Sequence, residues 1–243
     1  MDAVIYNKIE SEADRIMNAI GGGYLNYASK LMSIFDGSTC VPQKIKFAPV
    51  KLTDSEAANS NFLYHSYINS DNPYAAIDVE IHFGQTTPFS LRSMFNQAYG
   101  VRSIKLTGNL QYCTSYCYML DYAYYFKNID MVFDFTSCTG SQSGLISTGG
   151  NNPYVTSLRF VPNTASVPIN IKGFKMLDDA SLISVANCLV ANVSDKSLTL
   201  NDTPKANCAT IMGTNDNGTF VADAQGSLSL SDFITNIKGW TLA

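Results

Sequence analysis

Alternating apolar and polar residues mark short strands that recur at a fixed spacing along the middle of the chain. The segments 78–83, 103–107 and 128–133 each alternate in this way, and their apolar positions coincide when the chain is shifted by twenty-five residues. A further segment, 157–161, fits the same frame after a spacing of twenty-nine residues. Because successive side chains of a strand point to opposite faces, we expect each strand to have one buried face. The shared spacing predicts that the four strands lie side by side, parallel and in register, in one sheet.

The repeat includes more than the strands. The stretch "MFNQAYGVRSIKL" (94–106) and the stretch "MLDYAYYFKNIDM" (119–131) carry chemically similar residues at most positions. Each consists of an apolar, helix-like part followed by a strand. A period of about 20–50 residues is typical of solenoids, since one unit cannot bury its apolar face without a neighbour. The predicted fold is therefore an α/β solenoid with a parallel β-sheet on one face, short helices and a helical N-terminal segment.

Capping residues predict where the helices begin. Thr87 followed by Pro88 starts a helix in the first repeat, and Asp178 caps a helix in "DASLISVANCLVANV". Thr203 begins a further helix before Pro204, and Ser231 begins the last one. The strand-like segments 167–174 and 197–201 are expected to form later, less regular turns of the solenoid.

The first twenty residues read as an amphipathic helix that ends at three glycines. Ile5, Ile9, Ile16 and Ile20 fall on one stripe of that helix. Two interpretations remain open: the helix packs on its own domain, or it docks onto a partner or onto copies of the same chain. The expected organisation is then as follows: 1–23, the amphipathic helix for docking or oligomerisation; 24–77, an N-terminal cap; 78–174, the repeats; 175–243, the C-terminal repeats and cap.

The repeat motifs resemble a known family. The two repeats and the intervening "GNLQYCTS" are similar to the BspA-type leucine-rich repeats of surface proteins from gut and oral bacteria and their prophages. The closing "IKGWTLA" is similar to the ending of many prophage-borne members. The resemblance covers roughly residues 78–243 and is strongest over 90–135. It implies a non-catalytic binding or attachment scaffold, with no active site to transfer.

One column of charged residues follows from the repeat itself. Glu80, Lys105, Asp130 and Arg159 lie between the apolar positions of successive strands and should point outward, with alternating sign. Strands lie roughly 4.8 Å apart, so the column predicts either an ion ladder that fixes register or a face that contacts a ligand. His82 lies on the same face and is predicted to be a surface residue.

Composition narrows the function classes. The 243 residues carry a formal net charge of −4 with a pI of about 5.1, so the chain lacks the basic surface typical of nucleic-acid binding. No apolar run approaches the roughly 18 residues of a membrane span. The start of the chain has no cationic, apolar segment of the kind that directs secretion. We therefore expect no nucleic acid and no membrane insertion among its partners.

The sequence also lacks the motifs of common catalytic sites. There are two histidines and no H-E-x-x-H, nucleophile elbow, P-loop or dinucleotide fingerprint. Cys113 and Cys138 occupy the same position in successive repeats, which favours buried thiols over a disulfide or a metal site. We expect no enzyme activity, no cofactor and no bound metal.

Three function classes remain, in order of preference. The first is a bacteriophage virion protein of the tail, a fibre or the capsid surface, which attaches to the host. A surface-type repeat without an export signal favours this class, with assembly in the host cytoplasm. The second is a bacterial surface adhesin, or a cytosolic repeat protein that binds a protein. The third is a carbohydrate-binding or carbohydrate-active domain. Expected partners are a protein or a surface glycan of a bacterial host, other virion proteins, or further copies of the chain.

Overall fold

The computed structural model describes residues 44–50, 77–96, 98, 100–122, 125–140 and 152–243. The predicted docking stripe, Ile5, Ile9, Ile16 and Ile20, lies outside these residues, as does most of the predicted N-terminal cap. The strands are β1 (Lys44–Val50), β2 (Ile77–Phe83), β3 (Phe89–Ser90), β4 (Val101–Gly108), β5 (Cys113–Ser115), β6 (Asn128–Asp130), β7 (Val132–Phe133), β8 (Arg159–Phe160), β9 (Ile169–Asn170), β10 (Ser197–Thr199), β11 (Met212–Asp216), β12 (Thr219–Ala222), β13 (Leu228–Ser229) and β14 (Thr241–Leu242).

Three of the four predicted repeat strands pair in parallel. The largest sheet has the strand order β1-β2-β4-β6. Val79 faces Ile104 across β2 and β4, and Ile104 faces Ile129 across β4 and β6, which is the twenty-five-residue register expected from the sequence. All three side chains are buried. The alternation of apolar and polar residues thus places one face of this sheet in the core.

The prediction of an α/β solenoid is wrong. The described strands form five small sheets, of four, three, three, two and two strands, instead of one continuous sheet. One of the three-stranded sheets is antiparallel: β11 pairs with β12 and with β13. An antiparallel sheet joined by short turns does not arise from stacking one repeated unit. The residues that the structure describes therefore combine a few stacked repeats with a different C-terminal arrangement.

The fourth predicted strand does not join the main sheet, because the strand before it in the chain is interrupted at Met131. The strand β6 ends at Asp130, and the following strand, β7, pairs with β8 in a separate two-stranded sheet. Phe133 faces Phe160 in that pair, so the register differs from the predicted one by two residues. The rings of Phe133 and Phe160 stack with their centroids 5.3 Å apart. Burying this aromatic contact favours the shifted register over a regular repeat.

The helix-like parts of the repeats are hydrogen-bonded turns. Ser93 and Tyr118, which are twenty-five residues apart, have φ angles of 55° and 54°. Each begins a turn in which a backbone N–H three residues later, at Asn96 or Asp121, donates to its carbonyl. A left-handed residue interrupts the continuous right-handed conformation that an α-helix requires. The expected helix after Thr87 and Pro88 is therefore absent from this described part of the chain, which forms β3 and a turn instead.

The α-helices of the described residues lie in the C-terminal third of the chain. A short 3₁₀ helix, Leu110–Tyr112, precedes them. The predicted cap at Asp178 is confirmed, because its side chain accepts a hydrogen bond from the backbone of Ser181. The next two helices begin earlier than predicted, after Asn201 and Ser229, whose side chains supply the caps. The helices are α1 (Asp179–Cys188), α2 (Asp202–Cys208) and α3 (Leu230–Asp232), the last continuing into a π-helical turn, Phe233–Ile237.

A single cluster of buried apolar side chains runs from the main sheet to the C-terminus. Tyr116 packs edge-on against Phe133 and Phe135 in its central part. Trp240 is 2% exposed, and its indole N–H donates to the carbonyl of Val190 at 2.9 Å. The described helices include none that combines the length and the apolar character needed to cross a membrane. The core thus holds the small sheets together and leaves their polar face exposed.

Candidate binding face and groove

The structure brings the predicted charged residues together on one exposed face. Glu80 faces Lys105, and Lys105 faces Asp130, in the paired strands β2, β4 and β6. The ammonium of Lys105 lies 3.7 Å from a carboxylate oxygen of Glu80. The guanidinium of Arg159 forms an ion pair with Asp130. Alternating signs along the column thus produce two ion pairs, and the column continues into the separate sheet that contains Arg159.

A second set of charges lies at the opposite end of the same strands. Arg102 Nε donates to Asp78 Oδ1 at 3.0 Å, and Ser103 Oγ donates to the same oxygen at 2.5 Å. The hydrogen bond from Arg102 to Asp78 and the attraction between the two charges raise the pKa of the Arg102 guanidinium above its ordinary value. These contacts tie β4 to β2 through side chains as well as through the backbone.

His82 contributes a hydrogen-bonding contact on the same face. Its side chain is exposed, and Nδ1 lies 3.0 Å from the hydroxyl of Thr107 on β4. The surface position expected for His82 is therefore confirmed. The residues that the structure describes contain no group of three or more His, Cys, Asp and Glu side chains with metal-binding geometry.

A groove runs beside the charged column, where β4 and β6 meet the turns that follow them. Its volume is about 420 Å³, and it is open to solvent. Apolar residues form its floor, among them the buried Met131 and the more exposed Val132. Polar side chains surround that floor. They are Lys105, Thr107, Gln111, Asp130, Asp134 and Arg159.

Two sets of hydrogen bonds position Asp134 on the polar rim of the groove. The hydroxyl of Tyr116 donates to the carbonyl of Asp134 at 3.1 Å and accepts from its N–H at 3.3 Å. The carboxylate of Asp134 in turn accepts from the N–H and the hydroxyl of Thr136, at 2.9 and 2.6 Å. A fully buried ring thus fixes the backbone of Asp134, while a local turn orients its side chain.

Gly108 allows the backbone turn that forms one wall of the groove. Its φ angle is +97°, and a Cβ at this position would lie 2.1 Å from the carbonyl oxygen of Phe83. Only glycine allows the chain to leave β4 this close to β2. The exit from β4 carries Leu110 and Gln111 into the wall of the groove.

The strand pattern of the sequence predicts three of the six polar groove residues and does not predict the other three. Lys105, Asp130 and Arg159 belong to the strand pattern, whereas Gln111 and Asp134 lie in the turns after β4 and β7. Thr107 is the last residue of the predicted strand 103–107, but it carries no charge and does not belong to the predicted charged column. The glycine and asparagine that open "GNLQ" mark the turn, but they do not reveal that it folds back beside the charged column.

The cysteines of the described residues are free and buried, as predicted for Cys113 and Cys138. The thiol of Cys138 donates to the carbonyl of Cys113 at 3.3 Å, which stacks the two repeats. Burial raises the pKa of the Cys113 thiol to about 12 and that of the Cys188 thiol to about 11. At neutral pH these groups are therefore protonated, and they pack as small apolar side chains.

The chain matches no family model, no curated protein and no solved structure in the comparisons made with it. The interpretation of the face and the groove therefore depends on their own geometry.

Proposed function

We propose that this chain is a non-catalytic binding protein that contacts its ligand through the charged face and the adjoining groove. The observation that carries the proposal is the gathering of six polar side chains around an open groove of about 420 Å³. Cavities of roughly 300–1,000 Å³ with a few convergent polar groups are typical of ligand sites. Ion pairs that only fixed the strand register would not require the additional polar residues from two separate turns.

The ligand is bound mainly by side chains. The strand β4 hydrogen-bonds to β2 on one side and to β6 on the other. At Lys105 the backbone pairs with Glu80 of β2 and with Asp130 of β6, so that position leaves no free edge to which a peptide strand could be added. The side chains of Lys105 and Arg159 are 49% and 55% exposed, so they reach a ligand without rearrangement of the backbone.

The reactive groups of this region support binding over catalysis. Each groove carboxylate is already engaged, Asp130 by Arg159 and Asp134 by Thr136. The nearby thiols of Cys113 and Cys138 are buried, and burial raises the pKa of both. A thiolate nucleophile at neutral pH would need the opposite environment.

The biological setting that we propose is attachment of a bacteriophage virion to its bacterial host. The resemblance of residues 94–131 to repeats of bacterial and prophage surface proteins supports this setting. Because the predicted solenoid is wrong, the fold itself does not support this setting. The support comes from the repeat motifs of the sequence. A bacterial adhesin would use the same face in the same way.

The binding role is tested with the full chain, labelled with a fluorophore and incubated with intact cells of a panel of gut and oral bacteria. We expect saturable binding to some strains. The double variant Lys105→Ala, Arg159→Ala should bind those strains at least about tenfold more weakly, since two exposed contacts are removed. The control variant Lys205→Ala removes an exposed lysine on α2 and should bind like the unmodified protein.

Two results would contradict the proposal. One is equal cell binding by the double variant and the control. The other is turnover of a glycan, ester or peptide substrate that disappears when Asp130 or Asp134 is replaced by Asn, because that result identifies a catalytic carboxylate.

A further inference from the structure

We infer that the groove binds a short stretch of an uncharged carbohydrate chain. This inference depends on the proposed binding function and adds the chemical class of the ligand. It follows from the balance of donors, acceptors and charge around the groove.

The rim supplies hydrogen-bond donors and acceptors in comparable numbers. Lys105 and Arg159 only donate, whereas the carboxylates of Asp130 and Asp134 only accept. Gln111 does both through its amide, and a hydroxyl such as that of Thr107 also does both. A sugar presents neighbouring hydroxyls, each of which is a donor and an acceptor. Such a ligand matches both the donors and the acceptors of the rim, whereas a purely accepting or purely donating ligand matches one kind only.

The charge of the rim disfavours ions of either sign. Lys105 and Arg159 carry two positive charges, and Asp130 and Asp134 carry two negative charges, all within the lining of one groove. An anionic ligand meets the carboxylates, and a cationic ligand meets the ammonium and the guanidinium. The existing pair between Arg159 and Asp130 also survives when a neutral hydroxyl group binds beside it. An uncharged polar ligand therefore avoids both the repulsion and the cost of breaking that pair.

The floor of the groove suits the apolar face of a sugar ring. Val132 is 36% exposed, and Val161 is partly buried on the neighbouring segment. Both line the groove together with Met131. The C–H groups of a pyranose ring pack against such side chains while its hydroxyls reach the rim.

The inference is tested by calorimetry with the full chain and three probes. The probes are a panel of neutral gluco-, galacto- and manno-oligosaccharides, an oligogalacturonate as an acidic sugar, and an oligolysine peptide. We expect one or more neutral oligosaccharides to bind and the two charged probes not to bind. The variant Gln111→Ala should weaken that binding by at least about tenfold, since it removes an amide that both donates and accepts hydrogen bonds.

The substitution is chosen so that the fold is retained. The backbone carbonyl of Gln111, which accepts from Ser137 Oγ at 2.6 Å, remains in the variant. The matched control is Gln225→Ala, which removes an exposed amide from a loop distant in sequence, outside the residues that line the groove. Equal melting temperatures of the two variants confirm that a loss of binding arises at the groove.

The outcomes separate this inference from the proposed function. Binding of the acidic sugar or of oligolysine in place of neutral sugars overturns the carbohydrate class and leaves the binding function standing. The same holds if no sugar binds but cells still bind in a manner that requires Lys105 and Arg159. Neutral sugar binding that is unaffected by Gln111→Ala places the sugar elsewhere and overturns the groove assignment. Cell binding unaffected by the double variant contradicts the proposed function itself.

Discussion

Arg159 donates a hydrogen bond to Asp130 across a boundary between two sheets. Asp130 is the last residue of β6 in the four-stranded sheet, and Arg159 is the first residue of β8 in the two-stranded sheet. The two residues are twenty-nine positions apart. The side chains remain 55% and 42% exposed, so the pair joins the sheets at a solvated surface and lies at the rim of the groove.

The energetic contribution of this pair should be small. Exposed ion pairs contribute about 0–1 kcal/mol, since water screens the attraction and two long side chains must be ordered. We predict a coupling of less than about 1 kcal/mol between Arg159→Ala and Asp130→Ala in a double-mutant cycle of urea unfolding. A coupling above about 2 kcal/mol would mean that the pair holds the sheets together, and the face would then have a structural role.

Replacing Tyr116 by Phe should destabilise the protein and weaken the groove. The substitution removes one hydroxyl that serves both the N–H and the carbonyl of Asp134. Leaving these partly buried groups unpaired costs about 1–3 kcal/mol. Urea unfolding measures the loss, and the control Tyr154→Phe, at a residue 48% exposed, should change stability by less than about 0.5 kcal/mol. An unchanged stability in Tyr116→Phe would show that the hydroxyl does not position Asp134.

Gly108→Ala should be far more harmful than Gly140→Ala. Both glycines have positive φ angles, +97° and +69°, so both substitutions carry backbone strain. Only at Gly108 does the new Cβ meet a backbone atom, the carbonyl oxygen of Phe83 at 2.1 Å; at Gly140 nothing lies within 4 Å. We expect a loss of about 1–2 kcal/mol at Gly140 and of about 3 kcal/mol or more at Gly108. Thermal unfolding of the two variants side by side provides the measurement, and similar losses would contradict the close approach of β4 to β2.

Stability should fall as the pH rises above about 9. Burial raises the pKa of Cys113 and of Cys208 from the ordinary value of 9.0 to about 12, that of Cys188 to about 11, and that of Cys138 further still. An acid whose pKa is raised by folding contributes its full stability below its unfolded pKa. That contribution is lost progressively as the pH rises from about 9 toward the pKa of the thiol in the folded state. The free energy of unfolding then falls by up to about 1.4 kcal/mol per pH unit for each thiol.

Lys238 acts in the opposite direction. Burial lowers its pKa from 10.5, so its destabilising effect is present at low pH and is relieved as the pH approaches 10.5. The destabilising effect of the four thiols exceeds the stabilising effect of the one lysine, so the protein loses stability above about pH 9. Urea unfolding at about pH 7 and about pH 10 measures it. The variant Cys113→Ala should show a smaller difference between the two pH values than the unmodified protein; an equal difference would mean that this thiol does not titrate on unfolding.

The spacing of the apolar residues is sufficient to predict the local pairing of the central strands. Val79, Ile104 and Ile129 face one another as the twenty-five-residue spacing requires, because alternation specifies which side chains are buried, and a slip by one residue would expose all of them. The same alternation placed Glu80, Lys105 and Asp130 in one exposed column. The cap at Asp178 was also predictable, since a carboxylate there satisfies a backbone N–H within three residues.

The point at which the repeat stops, and the segments that lie beside it, depend on long-range packing. Stacking of Phe160 on Phe133 favours a register other than the regular one. The free energy gained by burying the two rings cannot be deduced from the spacing of the repeats. The helix-like stretches form turns because Ser93 and Tyr118 adopt positive φ angles, and the N–H of Ser93 donates to the carbonyl of Cys117 in the next repeat at 3.0 Å. The groove, finally, requires Gln111 and Asp134 to meet the charged column, and two turns that are distant in sequence come together only when the core has formed.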